Sequence, residues 1–445
     1  MTEGRIAAHV ASRPVHGHNL HEVLQERKLN TQDDSVMDLS TAAPEQPFED
    51  REQTIAASTR YLASESGRLL RGLGADLIIG ARERAQFQDA FSGKWYWNMH
   101  CNGGVFNMGH RNQRLLQALR GALDTLDIGN HRFTSGIRAQ AAQKLTRSTG
   151  GVHAGVVFNA SGGEANDLAI RLARGVTGRQ KVISIVGGYH GHTGIAISTT
   201  DPEFSAPFGG PLPGFVQVPW NNLSAMETAI DDDTAAVIME TQPSSCGFLL
   251  PTDGYLQAVE KLCRDRGAML LIDEVQTGMG RTGRVWSWQY HGIEPDIFVS
   301  GKGLSGGVYP MAATMMKQPI FDHLHRFPYG QVCTYGGNEI GSAVLCELLG
   351  MVDNPTFLGH VRSLSQQFLE GFADAAFDYW TIGLSGGIGR NTPDWALAAM
   401  PKLYEAGVWA VFSSFNKSAL QCKPVMVMTA DEADRLIGVV KAALR

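Results

Sequence analysis

The sequence predicts an α/β protein: a mainly parallel β-sheet flanked by helices, joined to a smaller α+β domain. Three observations carry this. Short apolar runs at 155–159, 182–186, 235–239, 268–273 and 296–300 alternate with helical patterns, and strands apolar throughout belong to parallel sheets covered on both faces. After about residue 355 the rhythm shifts to the helices and strands of a separate unit. At 445 residues, with 51 glycines, the chain exceeds the ~250–300 residues at which one core stops growing, and it is rich in tight turns.

In chain order, residues 1–50 are polar and irregular and read as an N-terminal arm. His16, His18 and His21 cluster there without the carboxylates or thiols of a metal site. Residues 54–70 carry apolar side chains at helical spacing. Residues 75–80, a turn at Arg82-Glu-Arg84 and residues 85–97 read as a hairpin. Helices follow at 115–123 and 138–146, then the apolar strands, then helices at 164–174, 339–349, 358–375, 396–406 and 431–444. Strands are predicted at 419–422 and 425–428. The division is thus an arm (1–50), a small domain (51–105 with 355–445) and a large domain (106–354).

Gross composition excludes several partners. A net charge of −6 offers no footing for nucleic acid or an anionic membrane surface. No apolar run of 18 residues exists, so no membrane span is expected. The N-terminus lacks the apolar core of a signal peptide. The six scattered cysteines have neither zinc nor C-x-x-C spacing and read as reduced thiols of a cytoplasmic protein.

The chemistry gathers at strand ends, where ligands bind in such sheets. The run from Asp296 ends in a lone lysine between glycines, Gly301-Lys302-Gly303, and Leu270-Leu-Ile-Asp273 ends in a carboxylate. A buried amine is costly unless something uses it. One use is a Schiff base to an aldehyde, with the carboxylate holding a protonated heterocycle. Ser161-Gly162-Gly163 opens a helix after a strand and offers free N–H groups to an anion; taken alone, it is equally a helix capped by Ser161. Gly187-Gly-Tyr189-His190 puts an aromatic or imidazole ring where it can stack on a flat ring, or is a plain turn. Beyond Asp273, Val275 is placed to pack on a ring face and Gln276 to reach a ring hydroxyl; alternatively, Asp273 is buried against Arg281. Thr334-Tyr-Gly-Gly-Asn338 precedes another helix and suits a second face of a phosphate. Gly278-Met-Gly280-Arg-Thr-Gly283 matches the dinucleotide fingerprint by letter but lacks its strand-to-helix context. Jointly the remaining sites describe a phosphate, a flat ring, a ring nitrogen and an aldehyde, which is pyridoxal 5'-phosphate (PLP).

From about residue 70 onward the chain resembles the fold-type I PLP enzymes, specifically the class III, ω-aminotransferase-like family. The motifs are Asn107-Met-Gly-His110, Ser161-Gly-Gly-Glu-Ala-Asn166, Tyr189-His-Gly191, Asp273-Glu-Val-Gln-Thr-Gly-Met-Gly-Arg-Thr-Gly283, Ser300-Gly-Lys-Gly303 and Thr334-Tyr-Gly-Gly-Asn338. The resemblance implies that Lys302 is the Schiff-base lysine and proton shuttle, and Asp273 the partner of the pyridine nitrogen. Gly162 and Gly163, with Ser161, hold the phosphate. Tyr189 covers the ring, with His190 and Val275 among the cofactor-binding residues, and Gln276 meets the ring hydroxyl. Thr334 reaches the phosphate of the neighbouring subunit's cofactor, which implies a homodimer with shared active sites.

Two departures bear on the substrate. Where the family usually reads Glu-Pro-x-Gln-Gly-Glu, this chain has Glu240-Thr-Gln-Pro-Ser-Ser245, and the usual Ile-Arg-x-x-Pro-Pro appears as Ala419-Leu420-Gln-Cys-Lys-Pro424. Ser245 and Leu420 therefore stand where a glutamate and a carboxylate-binding arginine are expected, leaving Lys423 or Arg390 as alternative anchors. The implied reaction is transamination of a small amine or amino acid. Loss of the Glu–Arg pair leaves open racemisation or epimerisation, decarboxylation, and β/γ elimination or replacement.

Overall fold

A computed structural model describes residues 46–445 except 64–66 and 131. The three clustered histidines and nearly all of the predicted arm lie outside the described residues. The helical stretch near residue 60 comprises two helices, Arg51–Tyr61 and Gly67–Gly72. Asp50 caps the first, its carboxylate accepting from Gln53 N at 2.8 Å. The predicted hairpin becomes three strands, β1 (Ile79–Glu83), β2 (Gln86–Asp89) and β3 (Trp95–Asn98). Residues 75–78 stay outside it: buried Asp89 takes the N–H of Ile78 (2.9 Å) and those of the Ser92 turn, so that backbone has no need of a sheet partner.

The large sheet comprises β4 (Gly155–Asn159), β5 (Lys181–Ile185), β6 (Phe215–Val218), β7 (Thr234–Glu240), β8 (Met269–Asp273), β9 (Ile297–Ser300) and β10 (Ala312–Met316). Its order is β4-β10-β9-β8-β7-β5-β6. Pairs from β6 through β5, β7 and β8 to β9 are parallel, and β10 runs antiparallel to both neighbours. The sheet is mainly parallel, as predicted. Two of its strands go beyond the sequence reading. β6 is a half-buried edge, and β10, Ala-Ala-Thr-Met-Met, is fully buried but rich in helix formers. Residues alternate between two apolar layers: Ala236 and Ile238 of β7 face the helix Gly162–Thr177, while Val237 and Met239 face the larger core. Register sets Glu240 beside Asp273 and Asp273 beside Val299, so β7, β8 and β9 end side by side.

The C-terminal part contains β11 (Asp378–Ile382), β12 (Ser385–Gly389), β13 (Val408–Trp409), β14 (Val411–Phe412) and β15 (Ala419–Cys422). Four of these form a sheet in the order β11-β12-β15-β14, while β13 pairs with β3. The glycine-rich run at 382–389 is a buried hairpin. A Cβ on Gly387 would lie 2.5 Å from both the Trp380 ring and the Gly247 carbonyl, so only glycine allows this packing. Residues 425–428 are not the predicted strand. Pro424 has no N–H to offer a ladder, Arg281 takes its carbonyl, and Met426 N bonds the Asn107 carbonyl at 2.9 Å. The final helix, Ala430–Ala443, starts in a reciprocal cap between Thr429 and Glu432.

Candidate active site

The adjoining ends of β7, β8 and β9 form the floor of a cavity of about 280 Å³. At the tip of β8, Asp273 is 3% exposed. Its Oδ2 accepts from Asn166 Nδ2 (2.8 Å) and His190 Nδ1 (2.9 Å), and its Oδ1 from Val275 N (2.9 Å). Arg281, the alternative partner, is turned elsewhere: it is fully buried and donates to Asn107 Oδ1 and the Leu384 carbonyl. Among the described residues no Lys or Arg neutralises Asp273. A buried carboxylate so placed, and lining the cavity, suits a cationic N–H of a ligand. His190, buried and on the cavity lining, orients the carboxylate through Nδ1.

Lys302 follows β9 after Gly301 and sits at φ 41°, a left-handed conformation costly for a side-chain-bearing residue and frequent at functional sites. Its Nζ lies 6.0 Å from the Tyr189 ring centroid. Burial lowers the Lys302 pKa, opposed by Asp273 and Glu240, which favours the neutral nucleophilic amine. Beside Lys302, the segment Cys101, Asn102, Gly103 and Gly104 has positive φ throughout. A Cβ on Gly103 would come within 3.1 Å of the Lys302 side chain.

Ser161 caps the helix Gly162–Thr177, its Oγ accepting from Glu164 N at 3.3 Å. Capping and anion binding are therefore compatible at this turn. A Cβ on Gly163 would meet Thr193 Oγ1 at 2.6 Å, and one on Gly191 (φ 113°) would meet Gly163 Cα at 2.7 Å. The bare backbone at a helix N-terminus is a cradle for a phosphate. Val275 Cγ2 lies 3.1 Å from the Cβ position of Gly162, on the cavity wall with Tyr189. Cradle, amine, carboxylate and aromatic wall together fit PLP.

Gln276 also lines the cavity; its Nε2 donates to Ser244 Oγ at 2.8 Å and its Oε1 accepts from Lys423 Nζ at 2.6 Å. Thr334 is exposed and stands apart from this chain's own cavity. The fingerprint-like stretch 278–283 is a series of turns followed only by the short helix Ser287–His291.

Two wall residues escaped sequence reasoning as site groups. Glu240, 4% exposed, accepts from Ser244 N at 3.2 Å and leaves Oε1 unpartnered among the described residues; burial raises its pKa. Its signal was positional, since it ends β7 as Asp273 ends β8. Asn166 was legible as the polar residue one helical turn after the glycines. On β15, Leu420 packs into the core, whereas Gln421 Oε1 accepts from Lys423 Nζ at 2.6 Å; neither residue lines the cavity. Ser245 is buried with its carbonyl taken by Phe415 N. Arg390 is exposed and donates to the Ala376 carbonyl, outside the cavity.

Residues 75–444 match the aminotransferase class-III family model. An uncharacterized aminotransferase of Archaeoglobus fulgidus is 38% identical over 396 residues, covering 86% of this chain and 91% of that protein. The fold is similar to that of the ornithine aminotransferase from Toxoplasma gondii (TM-score 0.81, 23% identity, 89% and 96% of the two chains). It is also similar to the acetylornithine aminotransferase from Elizabethkingia anophelis (TM-score 0.77, 24% identity, 89% and 99%). With its mainly parallel sheet, its cradle and this family match, the chain belongs to the class III aminotransferases, PLP-dependent enzymes of fold type I.

Proposed function

We propose that the enzyme moves the amino group of a small amine or amino acid to a 2-oxo acid, acting as a cytoplasmic homodimer. The observation that carries this reading is the meeting of Lys302 and Asp273 at adjoining strand ends on one cavity. Bound there, PLP supplies a protonated ring that accepts electrons as a bond at the substrate Cα breaks. Asp273, fixed by Asn166, His190 and Val275 N, keeps the ring nitrogen protonated. Each pKa unit so gained is about 1.36 kcal/mol. Lys302 Nζ would hold the cofactor's aldehyde and is the amine placed to move a proton at the substrate Cα. The N–H groups at Gly162 and Gly163, with Ser161, hold the phosphate. Tyr189 and Val275 bound the ring, and Gln276 donates to the ring hydroxyl.

Thr334, exposed and outside its own cavity, is free to serve the cofactor phosphate of a second protomer. On the substrate side, Ser245 and Leu420 offer no carboxylate–guanidinium pair, so the amino donor is bound without that anchor. The test is a panel of amines, each offered with and without 2-oxo acids. Oxo-acid-dependent product supports the reading. Racemised substrate, carbon dioxide release, or loss of a β or γ substituent without an oxo acid would overturn it. Light scattering that finds a monomer would overturn the dimer.

A further inference from the structure

Lys423 is fully buried just beyond β15, yet no Asp or Glu lies within ion-pair distance of it among the described residues. Its Nζ instead lies 2.6 Å from Gln276 Oε1, 2.6 Å from Gln421 Oε1 and 4.6 Å from the Phe248 ring centroid. Two amide oxygens and an aromatic face are the partners that make a buried ammonium tolerable. Burial, with Lys302, Arg281 and His100 close by, nevertheless pushes the Lys423 pKa well below the usual lysine range, opposed by Cys101 and Glu240; charged or neutral, the amine keeps at least two N–H donors for the two amide oxygens.

The consequence falls on Gln276. Lys423 Nζ has at least two N–H donors in either protonation state, and the two glutamine oxygens at 2.6 Å take them. With its oxygen held by Lys423 and one N–H by Ser244 Oγ, the Gln276 amide is fixed in rotation. Its second N–H is left for the cavity that Gln276 lines. The geometry points to Lys423 as a positioning residue that locks Gln276 as a hydrogen-bond donor to the cofactor's ring oxygen, itself steadied by Gln421. A substrate carboxylate is then not its ligand, because the ammonium is sealed behind Gln276. This rests on the cavity being the PLP site, as proposed above.

The test is the pH titration of the visible absorbance band of the PLP-loaded protein, read for wild type, Lys423→Met, Gln276→Leu and the double variant, with near-UV circular dichroism to confirm folding. A donor to the ring oxygen disfavours protonation of the chromophore, so losing it moves the midpoint up. Each single variant should shift by about one pH unit, and the double variant no further than Gln276→Leu. Additive shifts, or a wild-type midpoint in Lys423→Met, overturn the proposal. If Lys423→Met does not fold, Lys423→Gln replaces it, keeping the pocket polar without the ammonium, under the same two criteria. Wild-type protein that shows no visible absorbance band after loading refutes the cofactor reading, and a wild-type band that does not move with pH while Gln276→Leu leaves it unchanged overturns the Lys423 link.

Discussion

The floor of the cavity and the polar cluster around Gln276 are held together by different means. On the floor, Asp273 and Lys302 follow adjoining strands, and register in the sheet sets where they stand. The glycine cradle is positioned the same way, by a strand that runs into the helix Gly162–Thr177. Around Gln276 there is no such frame. Ser244, Gln276, Gln421 and Lys423 come from three separate segments and are aligned by side-chain hydrogen bonds to one another. A substitution on the floor therefore strikes groups that meet the cofactor directly, whereas one at Ser244, Gln421 or Lys423 acts only through Gln276, and its neighbours can re-pair.

The sharpest way to break this distinction is to remove the amine. Lys302→Ala should lower turnover by at least about 10³-fold while PLP still binds, now without a covalent link. A borohydride-reducible protein–PLP adduct in this variant would show that another residue carries the amine. Next in size, Asp273→Asn should reduce kcat by about 10²-fold or more with the far-UV circular dichroism spectrum unchanged. Asparagine can still bond Val275 N, so near-wild-type kcat would mean that the carboxylate's charge does not matter and that the floor is only a scaffold.

This contrast also explains what could be read from the chain. Lys302, Asp273, Gly162, Gly163 and Tyr189 each stand in a short local motif, so their neighbourhood was visible in one stretch of sequence. The same holds for the strands that end beside them, which are continuous apolar runs. β10 was hidden because Ala and Met favour helices and only burial between β4 and β9 makes them a strand. The partnership of Gln276 with Lys423 spans 147 positions, and no local pattern announces it. That Leu420 turns into the core while its neighbour Gln421 reaches Lys423 depends on the pleat of β15, which the motif alone does not fix.

A smaller effect is expected at the cradle. Gly191 combines φ 113° with a Cβ position 2.7 Å from Gly163 Cα, so Gly191→Ala forces both strain and a backbone shift. It should weaken PLP binding about tenfold, since one such strain costs roughly 1–3 kcal/mol, while turnover at saturating cofactor falls less. Equilibrium dialysis of the apoprotein checks this. Unchanged affinity would mean that the phosphate does not sit on the 162–163 turn.

The smallest effect lies just behind the floor and concerns stability. Glu274, next to Asp273, is buried with its oxygens receiving Ser287 N and Trp288 N, and burial raises its pKa from 4.5 to about 8. Between these two values the folded protein keeps a proton that the unfolded chain has lost. Raising the pH through that window therefore favours the unfolded chain, and the contribution of Glu274 to stability falls with pH there and is level outside it. Wild-type Tm should decline by a few degrees between the lower and upper ends of the window. Glu274→Gln cannot ionise, so its Tm should start lower, because an amide N–H then opposes a backbone N–H, but change less with pH. The difference in slope, read by calorimetry across the window, is the measurement. Parallel slopes would show that Glu274 is already ionised in the folded protein, and the two backbone N–H groups would then be doing for it what Asn166 and His190 do for Asp273.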